Sequence, residues 1–110
     1  MAIYDEEIFE ENAIEKIRQA LQREGIAQNV SDWYPTDPVD VDEWSSTDGR
    51  IVGASQTWTI EFKDGTKVFT GVSLNNGRMG MPVRVITEDG DDFPFTKAGI
   101  QKATQMAKEV

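Results

Sequence analysis

A period-two alternation of apolar and polar residues from Ile51 onward most constrains what this chain can fold into. Trp58, Ile60 and Phe62 alternate with two threonines and a glutamate. Alternate residues of a strand point to opposite faces of a sheet, so this pattern predicts a strand with one core-facing side. The Lys-Asp-Gly sequence at 63–65 is typical of a hairpin turn, with Gly65 at positive φ.

The length of this turn decides which residues of the next strand share the face of Trp58. A two-residue turn would place Phe69 on that face. A three-residue turn with a bulge at Gly65, which we favour, selects Val68, Thr70, Val72 and Leu74. A second turn is predicted at 75–77 and a third strand over 81–86, where Pro82 favours an edge position or a strand start.

An amphipathic helix is predicted before the sheet. Asn12 and Glu15 fit a capping box, and Asp5 offers an earlier start that would extend the apolar stripe. Gly25 supplies the left-handed residue that ends the helix, and Ile26 is expected to fold back on the preceding turn in a Schellman motif.

A last helix is predicted after Thr96, which can cap it, with Phe95 and Ile100 as a hydrophobic staple. Gly99 weakens the first turn of this helix, which suggests close packing at that position. The apolar line of the helix comprises Ile100, Ala103, Ala107 and Val110.

This order of elements predicts an α+β fold, and we expect residues 1–110 to form one small acidic domain. The predicted architecture is a two-layer sandwich with an N-terminal helix, a long acidic and aromatic loop over 27–50, a three-stranded antiparallel meander and a C-terminal helix. Within the loop, the Val-Asp alternation at 39–42 predicts a short edge strand.

The helix–three strands–helix order is similar to that of double-stranded RNA-binding domains, but only in topology. Those domains have a basic start to the last helix, whereas Asp89, Asp91 and Asp92 precede it here.

The net charge of −9 is concentrated in the first part of the chain. Residues 1–43 contain twelve acidic and three basic residues, while residues 44–110 contain eight of each. Such asymmetry indicates a surface that repels nucleic acid and attracts a basic partner, although it is also typical of a solubilising surface. No cluster of Lys and Arg is present to neutralise phosphates, so direct binding to nucleic acid is not expected.

The chain contains no cysteine and no histidine, which removes the usual residues of disulfide scaffolds, zinc sites and catalytic triads. No phosphate-binding glycine motif occurs either. We therefore expect a non-enzymatic protein without cofactor or metal. The alternative is a carboxylate- or metal-dependent hydrolase that uses the acids of 37–43.

The predicted partner-binding residues combine acids with aromatic side chains. Trp33 and Trp44 flank the acidic segment, and each either covers the core or anchors a partner; one can pack inward while the other points outward. The predicted set is Glu10, Glu11, Trp33, Tyr34, Asp37, Asp40, Asp42, Glu43 and Trp44.

These features predict a binding protein that inhibits or masks a basic, nucleic-acid-processing partner protein, as phage anti-defence inhibitors and nuclease immunity proteins do. The alternative is a structural or accessory subunit, such as a virion or assembly module, that docks through its aromatic loop or a sheet edge. No apolar run is long enough for a membrane span and no signal peptide is recognisable, so a cytoplasmic location without membrane contact is expected.

Overall fold

The computed structural model describes residues 2–109 and shows an α+β fold. Its described part contains two helices, one 3₁₀ turn at Ala27–Asn29 and seven strands. In chain order the helices and strands are α1 Glu6–Arg23, β1 Val30–Pro35, β2 Asp40–Trp44, β3 Ile51–Phe62, β4 Lys67–Asn75, β5 Arg78–Met79, β6 Arg84–Ile86, β7 Asp92–Pro94 and α2 Lys97–Lys108.

All strands belong to one antiparallel sheet built around the long strand β3. One edge of β3 pairs with β4 along most of its length. The opposite edge pairs with two short strands placed end to end, because β2 pairs with residues 51–55 and β1 with residues 58–62. Beyond β4 follow β6 and then β7, while β5 pairs with the end of β4.

The register between β3 and β4 confirms the three-residue hairpin turn. Trp58 is opposite Thr70 and Ile60 is opposite Val68, so Phe69 lies on the other face. The Phe62 amide donates to the Thr66 carbonyl oxygen at 2.8 Å, and Gly65 has a φ of +89°. Only a residue that tolerates positive φ closes this turn without strain.

Helix α1 begins at Asp5, the earlier of the two predicted starts. The Asp5 carboxylate accepts from the Ile8 amide at 2.9 Å, while Asn12 lies inside the helix and its side chain donates to the Ile8 carbonyl oxygen. The capping box at Asn12 is therefore wrong: Phe9 is fully buried, so the turn that contains it must be helical to reach the core. The predicted Schellman end is confirmed, since the Ile26 amide donates to the Leu21 carbonyl oxygen at 3.1 Å.

Helix α2 has the predicted start. The Thr96 hydroxyl accepts from the Gly99 amide at 3.0 Å, and both staple residues, Phe95 and Ile100, are buried. A Cβ atom at Gly99 would overlap the backbone carbonyl of Pro94, which confirms close packing there. Ala103 is buried and Ala107 half-buried, while Val110, the last residue of the predicted apolar line, lies outside the described residues.

The buried apolar side chains form one cluster, to which both helices and alternate residues of β3 and β4 contribute. We call the face of β3 and β4 that carries Trp58 and Val72 the inner face of the sheet, and the opposite face the outer face. Helix α2 contacts β4, β6 and β7, whereas α1 contacts β1 and the 3₁₀ turn. The largest fully buried side chains are Trp58, Phe9, Ile17, Leu21, Ile51, Ile60, Leu74 and Ile100.

The segment predicted as a loop over 27–50 instead contains the 3₁₀ turn and strands β1 and β2. A strand of 12 residues leaves a long edge with unpaired backbone groups, and the two short strands satisfy it. The edge strand predicted from the valines at 39 and 41 is confirmed as β2. The two strands between α1 and the meander also depart from a helix–three strands–helix order.

The third strand of the predicted meander is shorter than expected. Only residues 84–86 form β6, and residues 80–83 carry no strand. Proline has no amide hydrogen to donate to a ladder, which explains the interruption around Pro82. Val83, inside the predicted strand 81–86, is 72% exposed.

Candidate protein-binding surface

Strand β2 forms an exposed edge of the sheet. Asp40, Asp42, Glu43 and Trp44 are exposed, and only Val41, opposite Ala54 of β3, is half-buried against the core. Within residues 2–109, β2 pairs with β3 and with no other strand. This edge therefore presents three carboxylates and one large aromatic side chain to solvent.

The register of β2 against β3 is irregular, and Gly53 makes room for it. The pairing shifts between Val41 and Glu43, which makes Asp42 an extra residue in the strand. A Cβ atom on Gly53 would lie 2.5 Å from Asp42 Oδ1 and 3.1 Å from Glu43 Cβ. The absence of a side chain at Gly53 therefore lets the Asp42 carboxylate lie across β3.

A hydrogen-bonded chain connects helix α1 to the segment before β2. Gln56 Nε2 donates to Glu10 Oε2 at 2.7 Å and to the Asp37 carbonyl oxygen at 2.9 Å. Gln56 Oε1 accepts from Trp58 Nε1 at 2.9 Å. Gln56 and Trp58 are buried, so this chain fixes the Glu10 carboxylate beside Asp37. We call Glu10, Asp37, Asp40, Asp42, Glu43 and Trp44 the acidic edge.

The two tryptophans that flank the acidic segment have opposite placements. Trp33 is opposite Ile60 on the inner face of the sheet, is half-buried, and donates from Nε1 to the Ile14 carbonyl oxygen of α1 at 3.2 Å. Trp44 is 51% exposed. Of the two predicted roles, the structure favours core covering for Trp33 and leaves Trp44 available for contact with a partner.

Two other predicted residues lie apart from the acidic edge. Tyr34 is on the outer face of β1, opposite Thr59, and its hydroxyl donates to Glu61 Oε2 at 3.2 Å. Glu11 is exposed on α1, next to Glu10 in sequence, and makes no hydrogen bond to the strands among the described residues. The structure therefore gathers six of the nine predicted residues and leaves out Trp33, Tyr34 and Glu11.

No cation of residues 2–109 forms an ion pair with a carboxylate of the acidic edge. The ion pairs found within residues 2–109 all involve acids elsewhere. A hydrogen bond from Arg18 lowers the pKa of Glu15, and hydrogen bonds from Arg23 and from the Lys97 amide lower the pKa of Glu24. In the described part of the chain, no three potential metal-ligating side chains lie close enough to hold a metal ion.

Gln56 is the residue of this surface that sequence reasoning missed. It stands two positions before Trp58, in the alternation that predicts core-facing residues, where a polar side chain is unexpected. A buried amide needs partners for both its oxygen and its nitrogen, so this mismatch was a usable signal for a hydrogen-bonded network.

Comparison with known proteins finds that the chain matches no protein-family model, no curated protein and no solved structure. Within residues 2–109, no helix combines the length and apolar character that a membrane crossing requires.

Proposed function

We propose that this protein is a non-enzymatic binding protein whose acidic edge covers a basic surface of a partner protein, such as a nucleic-acid-processing enzyme. The observation that carries the proposal is the exposure of Asp40, Asp42, Glu43 and Trp44 on an edge strand, with Glu10 linked through Gln56 to Asp37 in the segment before that strand. Unpaired carboxylates on a fixed backbone attract Lys and Arg side chains from a distance and compete with phosphates for them.

Trp44 supplies the apolar part of this surface. Interfaces commonly have a few large aromatic anchors surrounded by polar residues, and a half-exposed tryptophan among carboxylates fits that pattern. In this arrangement the acids accelerate encounter and the indole ring slows dissociation. Inhibition would be steric, by occupation of the partner's nucleic-acid-binding surface, as for phage anti-defence and immunity-type inhibitors.

The test begins with capture of partners from lysates of the source and its hosts, with elution by stepped salt. A basic nucleic-acid-binding protein that elutes as salt rises, and that DNA or RNA displaces, supports the proposal.

The double variant Asp40→Lys/Asp42→Lys is then expected to lower the association rate about 10-fold at low salt. The matched control, Glu88→Lys/Asp89→Lys, makes the same change of charge in a distant exposed turn. Equal effects of the two variants would contradict the assignment to the acidic edge.

A second candidate function, an accessory or assembly subunit, is favoured by apolar side chains elsewhere on the surface. Tyr34, Phe69 and Ile86 lie in one row across the outer face, and Ile86 is 37% exposed. Docking through this row would be largely insensitive to salt. A captured partner that resists high salt and is released by Phe69→Ser, but not by the acidic-edge variants, would favour this function.

A further inference from the structure

A groove on the outer face of the sheet shares Asp37 and Asp40 with the acidic edge. Thr57 of β3 is opposite Gly71 of β4 on this face. Gly71 has no side chain, and a Cβ atom placed there would meet only the Gln56 carbonyl oxygen, at 4.0 Å. The missing side chain at Gly71 therefore leaves open space on β4, and both residues line a cavity of about 290 Å³.

The two neighbouring rows differ in chemistry. On one side the register aligns Asp40 with Ser55 and Ser55 with Ser73. On the other side it aligns Tyr34, Thr59 and Phe69. Successive rows on one face are about 7 Å apart, because residues in a strand rise about 3.3 Å each. The first row, with its hydroxyls and carboxylate, lines the groove, whereas Tyr34, Thr59 and Phe69 lie outside its lining.

One end of the groove is acidic. Asp37 and Asp40 both line it, and the hydrogen bond from Gln56 to the Asp37 carbonyl oxygen holds this end in place. Neither carboxylate forms an ion pair with a cation of residues 2–109. The residues that line the groove include no lysine or arginine. Its polar lining combines two carboxylates with the hydroxyls of Ser55, Thr57 and Ser73, which complements an occupant that brings positive charge and N–H donors.

We propose that this groove binds an arginine side chain of the basic partner, with the guanidinium group at the Asp37–Asp40 end. Arginine matches the site better than lysine because its planar group offers five N–H donors to the carboxylates and hydroxyls of the groove. This inference rests on the proposed function, since it names the group through which the partner would be recognised.

The experiment compares binding of two capped peptides, hexa-arginine and hexa-lysine, which carry equal charge. Gly71→Val fills the groove without changing any charge and introduces a residue that is favourable in strands. We expect this variant to weaken hexa-arginine binding about fivefold and to change hexa-lysine binding less. In the wild type, hexa-arginine is expected to shift the amide resonances of Thr57, Gly71 and Ser73.

Control variants separate the groove from the acidic edge. Gly71→Ala leaves most of the space open and should bind as the wild type does. Ser73→Leu obstructs the same groove from β4 and should likewise weaken hexa-arginine binding. This second obstructing variant keeps the test decisive if Gly71→Val does not fold. Asp42→Lys/Glu43→Lys changes the acidic edge outside the groove lining and should weaken both peptides equally.

Each other outcome contradicts the proposal. If both obstructing variants bind hexa-arginine normally while Asp42→Lys/Glu43→Lys does not, the groove assignment is wrong and the acidic edge stands. Equal weakening of the two peptides by the obstructing variants would show that the groove does not select arginine. If the wild type binds neither peptide, the groove assignment fails, and partner capture with the acidic-edge variants still decides the proposed function independently.

Discussion

Strands β1 and β2 lie end to end along the same edge of β3, yet one is integrated into the core and the other is exposed. Val30 of β1 is buried and Trp33 contacts α1, whereas four of the five residues of β2 are exposed. Each strand carries one tryptophan: that of β1 donates a hydrogen bond to α1, whereas that of β2 is 51% exposed. The hydrogen bond to the helix ties β1 to the core, and the exposed side chains of β2 stay available for other contacts.

Truncation of the two tryptophans is the largest expected difference between these strands. Trp33→Ala removes the contact with the core and the hydrogen bond to the Ile14 carbonyl oxygen, so we expect a loss of about 2–3 kcal/mol in the free energy of unfolding. Trp44→Ala should cost less than about 1 kcal/mol, because the side chain is 51% exposed. Urea denaturation of both variants measures the difference. Similar costs would mean that β2 is as firmly packed as β1.

Gln56 provides the second test, because it holds Glu10 beside the segment that leads into β2. Gln56→Leu leaves the buried Trp58 Nε1 without its acceptor and breaks the hydrogen bonds to Glu10 and Asp37. We expect a loss of about 2 kcal/mol in the free energy of unfolding, most of it from the unsatisfied indole nitrogen.

The control for this variant is Glu10→Gln, which removes the charge of Glu10 but keeps an oxygen that can accept from Gln56. We expect it to lower stability by less than about 1 kcal/mol. Amide exchange within 37–42 should accelerate in Gln56→Leu and stay unchanged in Glu10→Gln. If Gln56→Leu unfolds at the wild-type urea concentration, the hydrogen-bonded chain contributes nothing to the free energy of unfolding.

The elements with strong local signals were predictable from the sequence, and those that depend on distant pairing were not. The Gly65 turn, the Thr96 cap and the glycine end of α1 are specified by neighbouring residues, and the structure confirms all three. Strands β1 and β2 lie in a segment with two prolines and many acids, where the Val-Asp alternation predicts β2 but no local pattern predicts β1. They form because β3 is long enough to offer each of them part of one edge.

The residues of the acidic edge could be predicted from the sequence, but the contact that links Glu10 to the others could not. The acids at 37–43 are close in the chain, so their proximity follows from sequence spacing. Glu10 joins them only through Gln56, a contact across 46 residues. The different burial of Trp33 and Trp44 depends on how β1 and β2 pair with β3, which no local pattern determines.

Gly53 tests how β2 is accommodated on β3. A methyl group in Gly53→Ala would lie against the Asp42 carboxylate and Glu43 Cβ, so β2 must shift, and we expect a cost of about 1 kcal/mol. In an Asp42→Ala background the same substitution should cost less, because one of the two clashing groups is gone. A double-mutant cycle of unfolding free energies measures this coupling. Additive costs would show that Asp42 does not lie across Gly53.

The smallest expected effect on stability concerns Asp64, at the end of β3 opposite to the acidic edge. Unlike the carboxylates of the acidic edge, this carboxylate has a cationic partner. The Asp64 carboxylate accepts from the Thr66 hydroxyl at 2.6 Å and pairs with Lys108 of α2 at 2.9 Å. The hydrogen bond from the Thr66 hydroxyl, followed by that from Lys108, holds the pKa of Asp64 well below its usual range. Its contribution to stability is therefore present above the unfolded-state pKa of about 3.9 and is lost as the pH falls from there towards the folded-state pKa.

Asp64→Asn should accordingly be slightly less stable than the wild type at pH 7, with a gap that narrows as the pH falls below about 4. The site is exposed, so solvent screening keeps the effect below that of Gly53→Ala. Thermal unfolding of both proteins across this pH range provides the measurement, and Asp42→Asn is the matched control on the acidic edge. There, removal of one negative charge from an unpaired cluster should relieve repulsion and leave stability at pH 7 unchanged or slightly raised. If both variants lose stability equally at neutral pH, the carboxylates at the two ends of β3 are in equivalent environments. The carboxylates of the acidic edge would then not form an unpaired cluster.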